Sequence, residues 1–292
     1  MAQVEKEYKD RLFSFIFGRE ENKAWTLELY NAVNGSAYSD PSQVEITTIR
    51  DVLYLGMHND ISFMIRDDMN LYEQQSTYNP NMPVRQLQYC GYVYEAYMTS
   101  HNMNKYGTKL LKLPVPKLVV LYNGTQNEPD DEILRLRDSF PEGVESDIEV
   151  RCRMVNINYG RSKELLSVCK PLEEYAWLVA KIRELSANGG IEEAVDKAVS
   201  EIPEDFVLKK FLVTHRAEVR GMMLKEYNEA ETNKLFRKDG VEEGKARQLV
   251  DAVESLKENM PCSLEKACQL LGCSIFDYYD AKKLIEEVTP TV

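Results

Sequence analysis

Apolar residues recur at helical spacing across residues 5–33, with Leu12, Phe13, Ile16 and Phe17 followed by Leu27, Leu29 and Tyr30. That period predicts a helix. NAVNGSAYSDPSQ then reads as a loop, marked by its asparagines and glycine. VEITTIRDVLYLG (44–56) alternates and predicts a strand. In DISFMIRDDMNLYEQQS (60–76), Asp67-Asp68 separates two β-like runs, which predicts a hairpin. Residues 84–103 read as a helix with Leu87, Cys90, Tyr94 and Tyr97 on a shared face. LPVPKLVVLYNG (113–124) and IEVRCRMVNINY (148–159) read as strands, and EPDDEILRLRDSF between them as a short polar helix.

The pattern changes near residue 170. From Pro171 onward nearly everything reads helical, with breaks at Asn188-Gly189-Gly190, Pro203, Asp239-Gly240 and Pro261. The organisation expected is an α/β domain over 1–170 and an α-helical extension over 171–292. Within that extension, 240–258 reads as an amphipathic helix suited to self-association, so a homo-oligomer is an open expectation. Residues 263–287 read as a helical hairpin with helix-turn-helix spacing. Its second helix offers Lys282 and Lys283 against several acids, which favours packing over DNA readout.

Composition narrows the class. The chain has 292 residues, 43% of them hydrophobic and 29% charged, as in a folded globular protein. No apolar run approaches the roughly 18 residues of a membrane span. MAQVEKEYKD carries no apolar signal core, so a cytoplasmic protein with reduced cysteines is expected. Cys262, Cys268 and Cys273 lie close in sequence but form no C-x-x-C pair, and no structural zinc is expected. The net charge of −12 argues against a protein that coats nucleic acid. Residues 191–292 hold 21 acids and 15 bases and the remainder 27 and 21, so each part carries −6. Any basic footprint must be local.

The hairpin holds the candidate chemistry. Residues two apart on a strand share a face, so Glu73 and Gln75 project together. Asp60 lies across the hairpin, opposite Glu73 or Gln75. Two carboxylates repel unless a cation lies between them. Magnesium suits such a group: it takes oxygen ligands, needs one or two carboxylates and keeps its waters. A bound water of that kind can serve as the nucleophile in phosphodiester hydrolysis. Solvated acids on a strand edge are the other reading of the same spacing.

The pattern Asp60, twelve residues, then Glu73-x-Gln75 resembles the PD-(D/E)XK nuclease signature, with glutamine in place of lysine. YKDRLFSFIFG, NDISFMI, YEQQSTYNPNMPVRQLQYCGYVYEAY, KLPVPKLVVLYNG, VNINYG and FLVTHRAEVRGMMLKEY are similar to segments of the bacterial recombination-promoting nucleases, also termed putative transposases. The similarity covers about 1–240. It implies a restriction-endonuclease-like mixed sheet flanked by helices, followed by the helical extension. It also implies Mg2+-dependent hydrolysis of DNA, with Asp60 and Glu73 as metal ligands and Gln75 in the lysine's catalytic place. Glutamine can bond to water or phosphate but carries no charge. An inactive or weak DNA-binding protein on the nuclease fold, or an RNA-directed nuclease, are the alternatives.

Further candidates each keep two readings. Glu28 is an extra acid ligand, as in some superfamily members, or a surface glutamate. Arg85 and Tyr89 suit a phosphate and a base, or helix capping and core packing. Arg151 and Arg153 share a strand face and line a DNA groove, or are solvated. Lys105, Lys109, Lys112 and Lys117, and Arg161 with Lys163, are the other basic stretches. His58 is a general base or second-layer group, or an ordinary loop histidine. Lys9 and Asp10 match the family's opening motif without a chemical role.

Overall fold

In the computed structural model, residues 11–47, 60–187, 189–260 and 262–288 are described, with backbone alone at 229–243 and 284–288. The described strands are β1 (Val44–Ile46), β2 (Ile61–Ile65), β3 (Asp68–Gln75), β4 (Val115–Tyr122), β5 (Asp131–Arg135) and β6 (Arg151–Asn156). They form one mixed sheet in the order β1-β2-β3-β4-β6-β5. β3, β4 and β6 run parallel; β1, β2 and β5 complete antiparallel pairs.

Helices follow in the order α1 (Leu12–Phe17), α2 (Lys23–Asn34), α3 (Met82–Ser100), α4 (Lys163–Val168), α5 (Lys170–Ser186), α6 (Ile191–Ser200), α7 (Lys209–Thr214), α8 (Arg216–Asn259), α9 (Leu264–Leu270) and α10 (Ile275–Val288). All of β2 is buried, and all of β3 after Asp68. Helices cover both faces of the sheet, so β2 reads as a nearly continuous apolar run, while β3 buries Asn70, Glu73, Gln74 and Gln75 as well. On one face α3 packs Met82 against Val120, Tyr122 and Met154. The same helix sets Tyr89 and Val93 against Met64, Met69 and Leu71. On the other face α1, α2 and α5 bring Phe13, Ile16, Leu29 and Tyr175 against Phe63, Tyr72, Leu121 and Val155. Truncating a fully buried aromatic such as Phe13 costs about 3–5 kcal/mol.

The hairpin closes through Arg66-Asp67, with Ile65 paired to Asp68. Arg66 takes φ 51°, a left-handed conformation that costs about 1–2 kcal/mol outside glycine. Its guanidinium lies 4.5 Å over the Tyr38 ring, a contact that offsets part of that cost.

Several expectations change. The helix read at 5–33 is two helices over its described part, parted at Gly18, where a Cβ would stand 2.8 Å from the Ser14 carbonyl oxygen. Of the strand read at 44–56, Val44–Ile46 is observed and 48–59 lies outside the described residues. EPDDEILRLRDSF contains edge strand β5 and one 3-10 turn (Leu136–Ser139) rather than a helix, because β6 supplies its backbone partners. Leu87 of α3 is exposed; Met82, Gln86, Tyr89 and Val93 form the buried stripe. The break read at Asp239-Gly240 is absent, and α8 continues through it. A single helix-interior glycine costs only about 1 kcal/mol.

The chain forms two compact units, Met1–Tyr227 and Asn228–Val292, dividing later than the change in character at residue 170. Helices α5 to α7 and the start of α8 contribute Leu178, Val195, Leu212 and Met222 to the larger core. In the second unit α9 and α10 form the hairpin around Val253, Ala267, Cys268 and Tyr278. Ser263 caps α9 by accepting the Lys266 N–H. Gly272, at φ 72°, ends it. The side chains of Phe276, Asp277, Tyr279, Asp280, Lys282 and Lys283 are exposed on α10, a mixture without cationic bias. Among the described residues, no helix is long and apolar enough to cross a membrane.

Candidate active site

Ile61 pairs with Tyr72 across the hairpin, so the same register sets Asp60 opposite Glu73. Two hydrogen bonds fix the pair. Asp60 Oδ2 accepts the Gln74 backbone N–H at 2.6 Å, and the Asp60 N–H donates to Glu73 Oε2 at 3.3 Å. Gln75 projects to the same face as Glu73 and donates Nε2 to Glu73 Oε1 at 3.3 Å. This is the face covered by α3, and two arginines reach the acids there. Arg85 of α3 donates Nη2 to Glu73 Oε1 at 2.5 Å and to the Tyr89 hydroxyl at 3.0 Å. Arg11, just before α1, sets Nε 4.0 Å from Asp60 Oδ1.

Glu73 is 2% exposed. Burial, and then the Asp60 carboxylate, push its carboxyl above the usual carboxylate range, against the pull of Arg85 and Arg11. An acid in this position favours either a proton or additional positive charge. Burial and then Glu73 also raise the Tyr89 hydroxyl.

Gln74 lies between these residues in sequence and points to the opposite face. Its Nε2 donates to Asn123 Oδ1 at 2.5 Å, and Asn123 Nδ2 donates to the Tyr175 hydroxyl at 3.1 Å. Arg183 donates to the Asn123 carbonyl and, at 3.0 Å, to Asn158 Oδ1. Arg11 links the two faces, donating Nη1 to the Gln74 carbonyl at 2.9 Å. Gly124 follows Asn123 where a Cβ would stand 2.5 Å from the Ser76 carbonyl oxygen. Only glycine fits that approach of the two strand ends.

Comparison with protein-family models, curated proteins and solved structures finds no match.

The residues expected from sequence divide by face. Asp60, Glu73, Gln75 and Arg85 come together. Arg153 lies on the opposite face, where it pairs with Asp131 at 2.5 Å and donates Nη1 to the Val33 carbonyl at 2.6 Å. Arg151, two residues earlier, shares that face and is exposed. Neither lines a groove with the carboxylates, because alternation on β6 turns both away. Glu28 is exposed on α2, on the layer away from α3. Burial and then Glu174 raise its carboxyl. The acid that bears on it is Glu174, not Asp60 or Glu73. Lys105 pairs with exposed Glu95, and Arg161 with Asp130, each at 2.5 Å. His58, Lys9 and Asp10 lie outside the described residues.

Residue spacing missed Arg11, Gln74, Asn123, Tyr175 and Arg183. Arg11 is 49 positions from Asp60 in sequence and carries no local signal. Asn123 fell at the end of the strand read at 113–124, with nothing to mark it for a polar network. Gln74 had a signal, since a buried strand flanked by two polar residues must satisfy a third on its other face.

Among the described residues, no three His, Cys, Asp or Glu side chains gather in a group that would hold a metal. The donor set is therefore two carboxylates with the Gln75 amide beside them. Magnesium accepts so few protein ligands because water fills the rest of its octahedron. The donors are hard oxygens, and the hairpin register sets them opposite one another. On both counts Asp60 and Glu73 fit a divalent cation.

Proposed function

We propose that the first unit is a divalent-cation-dependent nuclease on a restriction-endonuclease-like scaffold, hydrolysing DNA phosphodiester bonds at Asp60, Glu73 and Gln75. One observation carries this reading: the hairpin register sets a buried glutamate against an aspartate, with an amide on the same face. A buried acid facing a second acid is a liability in a purely structural role. The resemblance to recombination-promoting nucleases supplies the substrate class and adds a link to recombination. Strand transfer is not part of the proposal.

Asp60 and Glu73 would hold Mg2+, which when bound supplies positive charge at the phosphate and an acidified water. The remaining work falls to the chain itself. The Gln74 backbone N–H fixes the orientation of Asp60. Gln75 can donate to a phosphate oxygen or orient a water, without the charge a lysine would bring. Arg85 presents a planar fork suited to a phosphate oxygen pair. With a net charge of −12, DNA contact is confined to this local group.

A second reading rests on the ion pair between Arg85 and Glu73, 2.5 Å long. That contact already compensates the buried acid, as in a DNA-binding protein without turnover. Purified protein incubated with supercoiled plasmid in Mg2+ or in EDTA separates the two. Nicking in Mg2+ alone supports the nuclease. DNA binding without nicking supports the second reading. Preferential cleavage of a matched RNA would move the substrate class to RNA.

A further inference from the structure

We infer that Arg85 is an exchangeable occupant of the cation position: its guanidinium and a divalent metal ion compete for Glu73 Oε1. The inference rests on the nuclease reading above and concerns how that site is kept when no metal is bound.

Glu73 Oε1 receives Arg85 Nη2 at 2.5 Å and Gln75 Nε2 at 3.3 Å. A cation bound by Glu73 and Asp60 needs an oxygen lone pair directed between the two acids. Glu73 Oε2 receives the Asp60 N–H at 3.3 Å. Its donor is a backbone N–H at the start of the hairpin, held in place by the adjoining strand pairing. The Arg85 contact can move. Its side chain is 32% exposed, against 3% for that of Glu73, and it comes from helix α3 rather than from the sheet. Its other partners are the Tyr89 hydroxyl at 3.0 Å and the Met82 sulfur at 3.5 Å. Both lie toward α3, and its guanidinium carbon is 5.8 Å from the Tyr89 ring centre. The arginine can leave Glu73 while keeping an aromatic neighbour.

Charge gives the direction. With both acids ionised, Asp60 and Glu73 are matched by Arg11 and Arg85, so these four groups sum to zero. Adding a dication without moving an arginine would leave +2 in a partly buried site. Displacing Arg85 toward solvent lowers that excess and presents its fork where a phosphate can meet it. Arg11 is the poorer candidate to leave, because it also holds the Gln74 carbonyl at 2.9 Å.

The test is a Mn2+ titration of the full chain without nucleic acid, followed by electron paramagnetic resonance of the free ion. Parent, Arg85→Gln, Arg85→Lys and Asp60→Ala are compared in mildly alkaline buffer, so that a proton does not take the guanidinium's place. Circular dichroism checks that each is folded. Arg85→Gln is expected to bind Mn2+ on the order of tenfold tighter than the parent. Arg85→Lys keeps the charge and stays near the parent. Asp60→Ala loses the site. A purely structural Arg85 would weaken binding when removed, so equal or weaker binding by a folded Arg85→Gln overturns the inference and leaves the nuclease reading standing. Parent binding that Asp60→Ala does not change, or no binding at all, overturns both.

Discussion

Adjacent residues of strand β3 serve two different polar clusters. Glu73 and Gln75 face α3, where two carboxylates and two arginines meet. Gln74 faces α5, where Asn123, Tyr175 and Arg183 form a chain of hydrogen bonds. Both clusters are buried, yet they differ in chemistry. The α5 cluster uses neutral amides and a hydroxyl, each donating to the next, and Arg183 ends on carbonyl oxygens. A connected network of this kind rigidifies a core. The α3 cluster places a buried acid beside another acid, and Glu73 there holds its proton more tightly than usual. The first arrangement suits joining strand ends to a helix; the second suits holding a cation. The difference follows from alternation alone, because neighbouring positions on a strand cannot share a face.

The largest expected effect falls on the acidic face. Asp60→Ala should lower Mg2+-dependent plasmid nicking at least about 10²-fold, as when a group that stabilises transition-state charge is removed. Circular dichroism should leave the fold intact. Parent-like activity in that variant would move the chemistry elsewhere in the chain.

Asn123→Ala breaks the neutral face, leaving Gln74 and Tyr175 each short of a partner. A cost of about 1–3 kcal/mol is expected in urea unfolding. Nicking per folded molecule should stay near the parent. Loss of nicking with unchanged stability would erase the distinction between the faces.

The third effect depends on pH. Folding raises the Glu73 carboxyl above its ordinary value of 4.5. The folded state therefore binds the proton more tightly than the unfolded chain does. The stability that this contributes is complete below 4.5 and is lost as pH rises through the raised folded value. Metal-free Tm should fall over that interval more steeply in the parent than in Glu73→Gln. Parallel Tm–pH curves for the two would mean that Glu73 is not held against its charge.

The smallest effect is expected on the far side of the sheet. Arg153→Ala removes a half-exposed pair with Asp131 and should change stability by about 0–1 kcal/mol. DNA affinity in fluorescence anisotropy should not change. A marked loss of affinity would place the DNA surface on the wrong face for Glu73.

Much of the acidic face was legible in the sequence. The hairpin was read from its two β-like runs, but it closes at Arg66-Asp67 rather than Asp67-Asp68, and that one-residue difference sets Asp60 opposite Glu73 rather than Gln75. Arg85 was visible because a helix follows the hairpin directly. Arg11, Tyr175 and Arg183 were not legible, since their approach depends on how α1 and α5 pack on the sheet. Arg151 and Arg153 were correctly read as sharing a face. Which face that is depends on the pairing of β6 with β4, and its neighbouring partner β5 was read as a helix. The edge strand β5 was hidden by its acids, which disfavour strands in isolation but are tolerated on an exposed edge.

The most direct measurement sets the two faces of β3 against each other. Supercoiled plasmid is incubated in Mg2+ with parent, Glu73→Gln and Asn123→Ala, at a temperature where all three are folded. The expected result is nicking by the parent and Asn123→Ala and none by Glu73→Gln. Nicking by Glu73→Gln at the parent's rate would contradict the assignment of the acidic face as the site.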